Sequence, residues 1–299
     1  MEMKIIENIE VLIITSKVKF VPEFDKNILC NSLQTEDVNF IPKLISNIRN
    51  YSNIKNITIV HDFKIDNKYS LSYHNILKEF SKRFNFKLIT SPSSIKIPSQ
   101  ISATIAFKFG LKNINSKYFL FWEHDHTFTE KVDWKIINRC FLNGGKMLRF
   151  NRQINKINTK FRINKNNTYE SVETSNICDF EKNLLRTNFY SNGPFIAEKD
   201  FCDNLWSNTN YEYPSWNGFF GGFIEGPINQ HMLAEELNMN KKEFREKYPI
   251  YLYGGENFIP IVKHEGTYEP LYRIQELNLK SLITILKKVK KYFKNLLNF

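Results

Sequence analysis

Two carboxylates and two imidazoles follow one another at Glu123-His124-Asp125-His126. Glu123 and Asp125 are two residues apart, so in an extended segment their side chains point to the same side. Two carboxylates on one side repel each other unless a positive charge lies between them. A hard divalent cation that also holds phosphate oxygens is the usual partner. These residues therefore predict a site for a metal ion and a phosphorylated ligand.

The acidic motif directly follows an apolar run of strand-forming residues, Tyr118 to Trp122. The run is too short for a helix and too apolar for a half-exposed strand, which predicts a central strand covered on both faces. In open α/β sheets, ligands bind outside the carboxyl ends of the strands. The position of the motif therefore agrees with its chemistry.

Other apolar runs alternate with segments whose apolar residues recur at helical spacing. Such alternation predicts an α/β fold, with a doubly wound and mostly parallel sheet, helices on both faces and right-handed crossovers. The glycine patterns of dinucleotide-binding and P-loop proteins do not follow any strand, which excludes both classes at the level of motifs. The strands are predicted at 9–15, 57–61 and 86–90, and the helices at 39–51, 70–84 and 100–114.

An amphipathic helix followed by a buried strand that ends in acid-x-acid resembles the GT-A glycosyltransferases, whose fold is Rossmann-like. The resemblance covers roughly residues 5–275 and implies a divalent metal, Mn²⁺ or Mg²⁺. It implies Asp125 and Glu123 as metal ligands, with Glu123 also on the bound nucleotide. His264, which follows the predicted strand 259–263, is implied as a further ligand.

The same resemblance implies where the donor binds. Thr15 and Ser16 end the first strand and Asp62 follows the second, and these positions hold the base and ribose in that family. Asp62 also fits a turn or a helix N-cap. Asn192 and Gly193 lie in a small-residue turn that resembles the sugar pocket, where glycine lets the backbone approach the sugar closely.

The resemblance also implies an acid that deprotonates the acceptor just before a late helix. Glu225 has this place before the predicted helix 228–237, and Asp200 is a second candidate. A general base must lie within about 3 Å of the acceptor hydroxyl. Glu225 would equally serve the helix dipole. The aromatic and glycine-rich stretch 211–225 fits either sugar stacking or a core cluster.

The formal net charge is +11, which favours an anionic partner or reflects a solvated basic surface. Residues 276–299 predict a basic amphipathic helix, which fits either an anionic membrane surface or packing on a protein. A secretory leader and an apolar run near the ~18 residues that span a bilayer are both missing. The expected location is therefore the cytoplasm or the cytoplasmic face of the membrane. A nucleic-acid-binding signature is also missing, so nucleic acid is not an expected partner.

These observations predict a catalytic unit at 1–275, with a nucleotide-binding half at about 1–128 and an acceptor half at about 129–275, followed by the helix 276–299. Residues 151–179 predict a long polar loop. The expected activity is metal-dependent transfer of a sugar from a nucleoside-diphosphate sugar to a glycan or lipid-linked hydroxyl, with inversion. The alternatives are a nucleotidyltransferase that acts on a sugar phosphate and a non-catalytic protein that binds a membrane or an anion.

Overall fold

The computed structural model describes residues 9–16, 40–97, 99–124, 126–150, 159–163, 169–173, 176–178, 181–188, 190–191, 193–207, 225–254 and 261–264. Asp125, Asn192 and the predicted helix 276–299 lie outside the described residues, as does most of the aromatic stretch 211–225. Within the described ranges, no helix has the length and apolar character needed to cross a bilayer.

Nine of the described strands form one sheet, in the order β3-β2-β1-β4-β11-β6-β12-β10-β9. A two-stranded sheet pairs β13 with β5, and another pairs β7 with β8. The strands are β1 (Ile9–Thr15), β2 (Ile57–Lys64), β3 (Lys87–Ser93), β4 (Tyr118–Glu123), β5 (His126–Phe128), β6 (Met147–Phe150), β7 (Thr159–Ile163), β8 (Tyr169–Glu173), β9 (Asn176–Cys178), β10 (Glu181–Thr187), β11 (Phe195–Glu198), β12 (Ile250–Tyr253) and β13 (Val262–His264).

The large sheet is mixed, with four parallel and four antiparallel pairings, although most of its strands run in one direction, as predicted. Strands β3, β2, β1 and β4 are parallel to one another. Strand β11 is antiparallel to both β4 and β6, and β10 is antiparallel to both β12 and β9. Since β6 and β12 are parallel to each other, all nine strands except β10 and β11 run in one direction.

Helices cover both faces of this sheet, which confirms the doubly wound α/β fold. Residues of α1, α2 and α4 belong to the core on one face, and residues of α3, α5, α6 and α7 belong to the core on the other. The helices are α1 (Phe40–Ser52), α2 (Lys68–Phe84), α3 (Ser99–Asn113), α4 (Trp134–Leu142), α5 (Lys199–Ser207), α6 (Glu225–Glu236) and α7 (Lys241–Lys247).

Strand β4 is central, between β1 and β11, and its first five residues are buried. Because successive side chains of a strand point to opposite faces, Leu120 and Trp122 join one core while Phe119 and Phe121 join the other. An apolar run without polar alternation is therefore what this position requires. The structure confirms the predicted central strand.

Side chains placed by the local sequence set several helix ends. The Asn67 side chain accepts hydrogen bonds from the N–H groups of Tyr69 and Ser70 at the start of α2, and Asn85 ends that helix in the left-handed conformation with φ of 50°. Asn240 and Glu243 form a capping box at α7. Helix α2 packs under the carboxyl end of β2, where Ser70 contacts Lys64 and His61.

The prediction of a long polar loop at 151–179 is wrong in part. Strands β7 and β8 pair as an antiparallel ladder from Thr159↔Glu173 to Ile163↔Tyr169. Strand β9 adds to the edge of the large sheet beside β10. Polar residues dominate this stretch, but each of these strands contains branched or aromatic residues that suit a pleated surface.

Candidate functional site

The carboxyl ends of β1, β2 and β4 bring four predicted site residues to one edge of the sheet. In the register, Ile14 stands opposite Glu123, and Thr15 stands opposite His61. This side of the sheet, where the parallel strands have their carboxyl ends, therefore holds Thr15, Ser16, Asp62 and Glu123. We call it the site edge. The sequence analysis placed these residues at strand ends, and the resemblance to GT-A enzymes implied that they share one site.

The loop that carries the acidic motif begins at the site edge. The Trp122 indole Nε1 donates to the His126 backbone oxygen at 2.8 Å and so ties β4 to the start of β5. The Glu123 side chain is 33% exposed, and its Oε2 is 3.6 Å from Nδ1 of the buried His126. Glu123 therefore presents a carboxylate oxygen at the surface, where a ligand can reach it.

Strand β13 brings the predicted late histidine to the acidic motif. In the antiparallel pairing of β13 with β5, His264 stands opposite His126, the residue directly after Asp125. His126 and His264 are far apart in the sequence and lie on adjacent strands in the fold. Only the backbone of His264 is described, so its predicted metal contact stays a prediction.

A divalent metal fits the chemistry of the donors that the structure shows. Glu123 supplies a carboxylate oxygen, the ligand that Mg²⁺ and Mn²⁺ prefer. Among the described residues, no three acidic, histidine or cysteine side chains converge into a metal site. The two other predicted ligands, Asp125 and the His264 side chain, are not among the described groups.

The ends of β1 and β2 are tied to each other and to helix α2. Ser16 Oγ donates to the Asp62 backbone oxygen at 3.1 Å, and Thr15 Oγ1 lies 2.8 Å from the Tyr73 hydroxyl in a buried hydrogen bond. Burial raises the pKa of Tyr73 to about 12, so the phenol stays protonated at neutral pH. This end of the sheet is therefore fixed in position before any ligand binds.

Asp62 differs from a simple surface acceptor, since it is only 2% exposed. Its Oδ1 accepts from Ser93 Oγ at 2.6 Å, and its Oδ2 accepts from Ser102 Oγ and lies 2.9 Å from Nζ of the buried Lys64. The predicted contact of this carboxylate with a nucleotide requires that one of these bonds be exchanged for a bond to the ligand.

The partners of Asp62 were missed by the sequence analysis. Lys64 is two residues further along β2, which puts it on the same face as Asp62, so a basic residue at that spacing was the available signal. Lysine is almost never fully buried unless it is paired. Ser93 ends β3 and Ser102 lies in α3, and a single sequence does not show that these elements meet at Asp62.

Gly193 lies beside the site edge. Phe195 opens β11 opposite Phe121, so the chain just before it runs level with the end of β4. Gly193 is buried there, and its N–H donates to Ser191 Oγ at 3.4 Å. Asn192 lies outside the described residues, so its predicted contact with a sugar stays a prediction.

Helix α6 begins at Glu225 and is docked on the segment before Gly193. Asn229 accepts from the Tyr190 N–H at 3.0 Å and donates to the Tyr190 oxygen at 3.1 Å. Near the far end of the helix, Asn188 donates to Glu236 Oε1 at 3.0 Å. Glu225 is four residues before Asn229, which is about 6 Å along the helix axis. It lies at the end of the helix opposite to the contact with Asn188.

Asp200, the second candidate for the catalytic acid, lies at the end of the sheet opposite to Glu123. Strand β11 runs from the site edge to the opposite edge, where Glu198 stands opposite Tyr118 and the Lys199 N–H donates to the Lys117 oxygen. Asp200 follows there, in the first turn of α5. The length of β4, about 17 Å at 3.3 Å per residue, separates that edge from Glu123.

Comparison with known proteins leaves the family of this chain open. No protein-family model matches the sequence. No curated protein matches it either.

Three solved structures resemble the fold at low identity. GalNAc-T7 with UDP, GalNAc and Mn²⁺ matches with a TM-score of 0.48 and 8% identity over 86% of this chain and 43% of that chain. A putative glucose-1-phosphate thymidylyltransferase from Bacillus anthracis matches with a TM-score of 0.46 and 10% identity over 90% of this chain and 94% of that chain. A 4-diphosphocytidyl-2C-methyl-D-erythritol synthase from Anaerococcus prevotii matches with a TM-score of 0.40 and 11% identity over 91% of this chain and 99% of that chain.

Proposed function

We propose that this chain is a metal-dependent glycosyltransferase that uses a nucleoside-diphosphate sugar. The observation that carries the proposal is the pairing of His264 with His126 in β13 and β5. The pairing supports the proposal because β5 begins directly after the acidic motif, and Glu123 of that motif ends β4, next to the end of β1 that leads to Thr15 and Ser16. An acid-x-acid motif, a histidine and the ends of parallel strands at one edge suit a metal-bound diphosphate.

In this proposal the ends of β1 and β2 hold the nucleoside, and Glu123, Asp125 and His264 hold Mn²⁺ or Mg²⁺. The metal would neutralise negative charge that grows on the departing diphosphate. Gly193 and Asn192 would line the sugar pocket. These residues bind and orient the donor so that its anomeric carbon faces the acceptor.

Glu225 is the proposed general base. It would take the proton of the acceptor hydroxyl while the acceptor oxygen bonds to the anomeric carbon. The bond from that carbon to the diphosphate oxygen breaks, and the nucleoside diphosphate leaves with the electron pair. Attack in line with the leaving group inverts the anomeric centre. The acceptor in this proposal is a hydroxyl of a glycan or of a lipid-linked glycan.

The first test is a thermal-shift panel of UDP, GDP, CDP and dTDP, each with and without Mn²⁺. We expect one diphosphate to stabilise the chain, and only when the metal is present, because Glu123, Asp125 and His264 would hold the metal that offsets the charge of the diphosphate. Transfer assays with the sugar nucleotides of that base follow. If none of the four diphosphates stabilised the chain together with Mn²⁺, the proposal would be contradicted.

The matched variants are Asp125→Asn and Asp200→Asn. We expect Asp125→Asn to abolish metal-dependent turnover, a larger loss than the roughly 10- to 100-fold typical for an outer-shell partner of a metal. Asp200→Asn should keep wild-type turnover, because Asp200 is exposed and lies at the opposite edge of the sheet. Full activity of Asp125→Asn would contradict the proposal.

The reaction products separate this activity from nucleotidyl transfer. A glycosyltransferase releases the nucleoside diphosphate, whereas a nucleotidyltransferase consumes a nucleoside triphosphate and a sugar phosphate and releases pyrophosphate. Pyrophosphate release from a triphosphate would overturn the proposed reaction while leaving the metal site in place.

A further inference from the structure

Asn47, in helix α1, makes two hydrogen bonds to the backbone of one residue in β5. The Phe128 N–H donates to Asn47 Oδ1 at 2.8 Å, and Asn47 Nδ2 donates to the Phe128 oxygen at 3.0 Å. A side-chain amide that satisfies both the N–H and the C=O of one residue replaces a neighbouring strand. We call this pair of bonds the Asn47 clamp.

Strand β5 has only three residues, and the clamp completes its pairing. Strand β13 bonds one side of β5, and the ladder continues where the Thr129 N–H donates to the Ile261 oxygen at 3.0 Å. Because the bonding direction alternates along an antiparallel strand, Phe128, opposite Val262, directs its backbone groups away from β13. Those groups meet Asn47, so β5 is held on both sides.

The loop with the acidic motif lies between two fixed points. Trp122 holds its base through the bond to the His126 oxygen, and the Asn47 clamp holds Phe128 two residues later. The Phe128 ring also packs against Trp122, with 4.2 Å between the ring centroids, and Phe128 is 2% exposed. Movement of β5 would therefore move the chain that follows Asp125.

We propose that Asn47 is a positioning residue for the acidic motif, acting through the backbone of Phe128. This inference rests on the proposed function, in which Glu123 and Asp125 hold a metal. Asn47 does not touch the metal or the donor in this proposal. It fixes the loop from behind, so that both carboxylates keep the spacing that the metal requires.

The test compares Asn47→Asp and Asn47→Leu with matched changes at Asn50. Asp keeps an acceptor for the Phe128 N–H but puts a second oxygen against the Phe128 carbonyl, and Leu removes both bonds at similar volume. Asn50 is exposed in the same helix, and its side chain donates to Ser46 Oγ at 3.5 Å. Asn50→Asp and Asn50→Leu therefore control for charge and for helix propensity.

The readout is the Mn²⁺ concentration that gives half-maximal transfer, measured together with kcat at saturating Mn²⁺. We expect both Asn47 variants to raise that Mn²⁺ concentration about 10- to 100-fold and to keep the wild-type kcat once Mn²⁺ is saturating. The Asn50 variants should match wild type in both quantities. A general loss of structure would lower kcat at saturating Mn²⁺ as well. An unchanged Mn²⁺ requirement would overturn the inference.

Amide hydrogen exchange separates failure of this inference from failure of the proposed function. We expect the peptide 123–129 to exchange at least about 10-fold faster in Asn47→Leu than in Asn50→Leu, because local opening controls exchange. Equal exchange would overturn the clamp whatever the activity. A wild-type chain without metal-dependent transfer would contradict the proposed function, and exchange would still decide whether Asn47 holds the loop.

Discussion

His61 is a buried imidazole with another imidazole beside it. It is 0% exposed, its Nδ1 lies 3.2 Å from Nδ1 of His74, and its Nε2 lies 3.4 Å from Ser70 Oγ. Burial, and then the charge of His74, lowers the pKa of His61 to about 3, although Asp62 acts in the opposite direction. Burial also lowers the pKa of His74, with a smaller effect from Lys78. Both rings are therefore neutral in the folded chain near neutral pH.

Protonation of His61 in the unfolded chain makes the protein sensitive to acid. The pKa of the His61 imidazole is near 6.5 in the unfolded state and about 3 in the folded state. Between these two pH values the unfolded state binds a proton and the folded state does not. The contribution of His61 to the free energy of unfolding is therefore fully present above pH 6.5. Below pH 6.5 it falls by up to about 1.4 kcal/mol per pH unit.

We predict that His61→Asn flattens this pH dependence. Urea unfolding at pH 7.5, 6.0 and 5.0 measures the free energy of unfolding. Because His61→Asn also removes the contact with Ser70, each protein is compared with its own value at pH 7.5. The variant should lose less stability than wild type between pH 6.0 and 5.0. Parallel curves would mean that His61 binds its proton equally well in both states.

The residues of the site differ in how far one sequence could predict them. Glu123 and Asp62 were predicted at strand ends because each directly follows an apolar run, and such a run indicates a buried strand and where it ends. The Asn47 clamp was missed because it joins residues 81 positions apart. Asparagine in an amphipathic helix gives no signal that its amide meets the edge of a strand.

Helix α3 crosses the sheet closely at Gly110. A Cβ atom there would lie 2.7 Å from Val60 Cγ2 and 2.8 Å from Leu12 Cδ1, and both of these side chains are fully buried. Valine is stiff at χ1, so it has little freedom to move aside. The glycine therefore sets how near α3, with Ser102 on it, approaches Asp62.

We predict that Gly110→Ala destabilises the chain although alanine favours helix. Overpacking in a filled core costs about 1–3 kcal/mol, and the better helix propensity returns about 1 kcal/mol. Because both neighbours are buried in strands, we expect a net loss of about 1–2 kcal/mol in urea unfolding.

Two further variants test the cause of that loss. Lys112→Ala, at an exposed position of α3, measures the effect of alanine on the helix alone. Val60→Ala makes room for the new methyl group, so the double variant should lose at least about 0.5 kcal/mol less than the sum of the single losses. Additive losses would show that Val60 does not cause the strain.

Most elements were predicted well, but the short strand β5 was missed. Helices α1 to α3 show a helical period over many residues, strands β1, β2 and β4 are apolar runs, and the structure confirms them within a few residues of the predicted bounds. Strand β5 has three residues, and its partner β13 is more than 130 residues away. Hydrophobic period carries no information on such pairing, which tertiary contacts decide.

At the scale of the whole molecule, the predicted halves at about 1–128 and 129–275 contribute to one common sheet and to the same two cores. Strand β4 of the first half pairs directly with β11 of the second half. One core joins Val11 and Trp122 to Leu148 and Tyr251, which belong to different halves. The second core joins residues from both halves in the same way. Strand alternation predicted the first half, but the order β4-β11-β6-β12 followed from no local pattern.

We therefore predict that the two halves unfold together. Trp122 in the first half is 0% exposed and Trp206 in the second is 1% exposed, so each reports on one of the two cores. The sequence has four tryptophans, so one variant keeps only Trp206 and the other keeps only Trp122, with phenylalanine at the remaining three positions. In urea, the fluorescence of each variant should follow its far-UV circular dichroism with one midpoint. Phenylalanine in place of buried tryptophan lowers both midpoints, so the comparison is between probes within a variant and not between variants. Separate midpoints for the two probes would show that the halves are independent folding units, despite the continuous sheet that puts the acidic motif of one half beside Gly193 of the other.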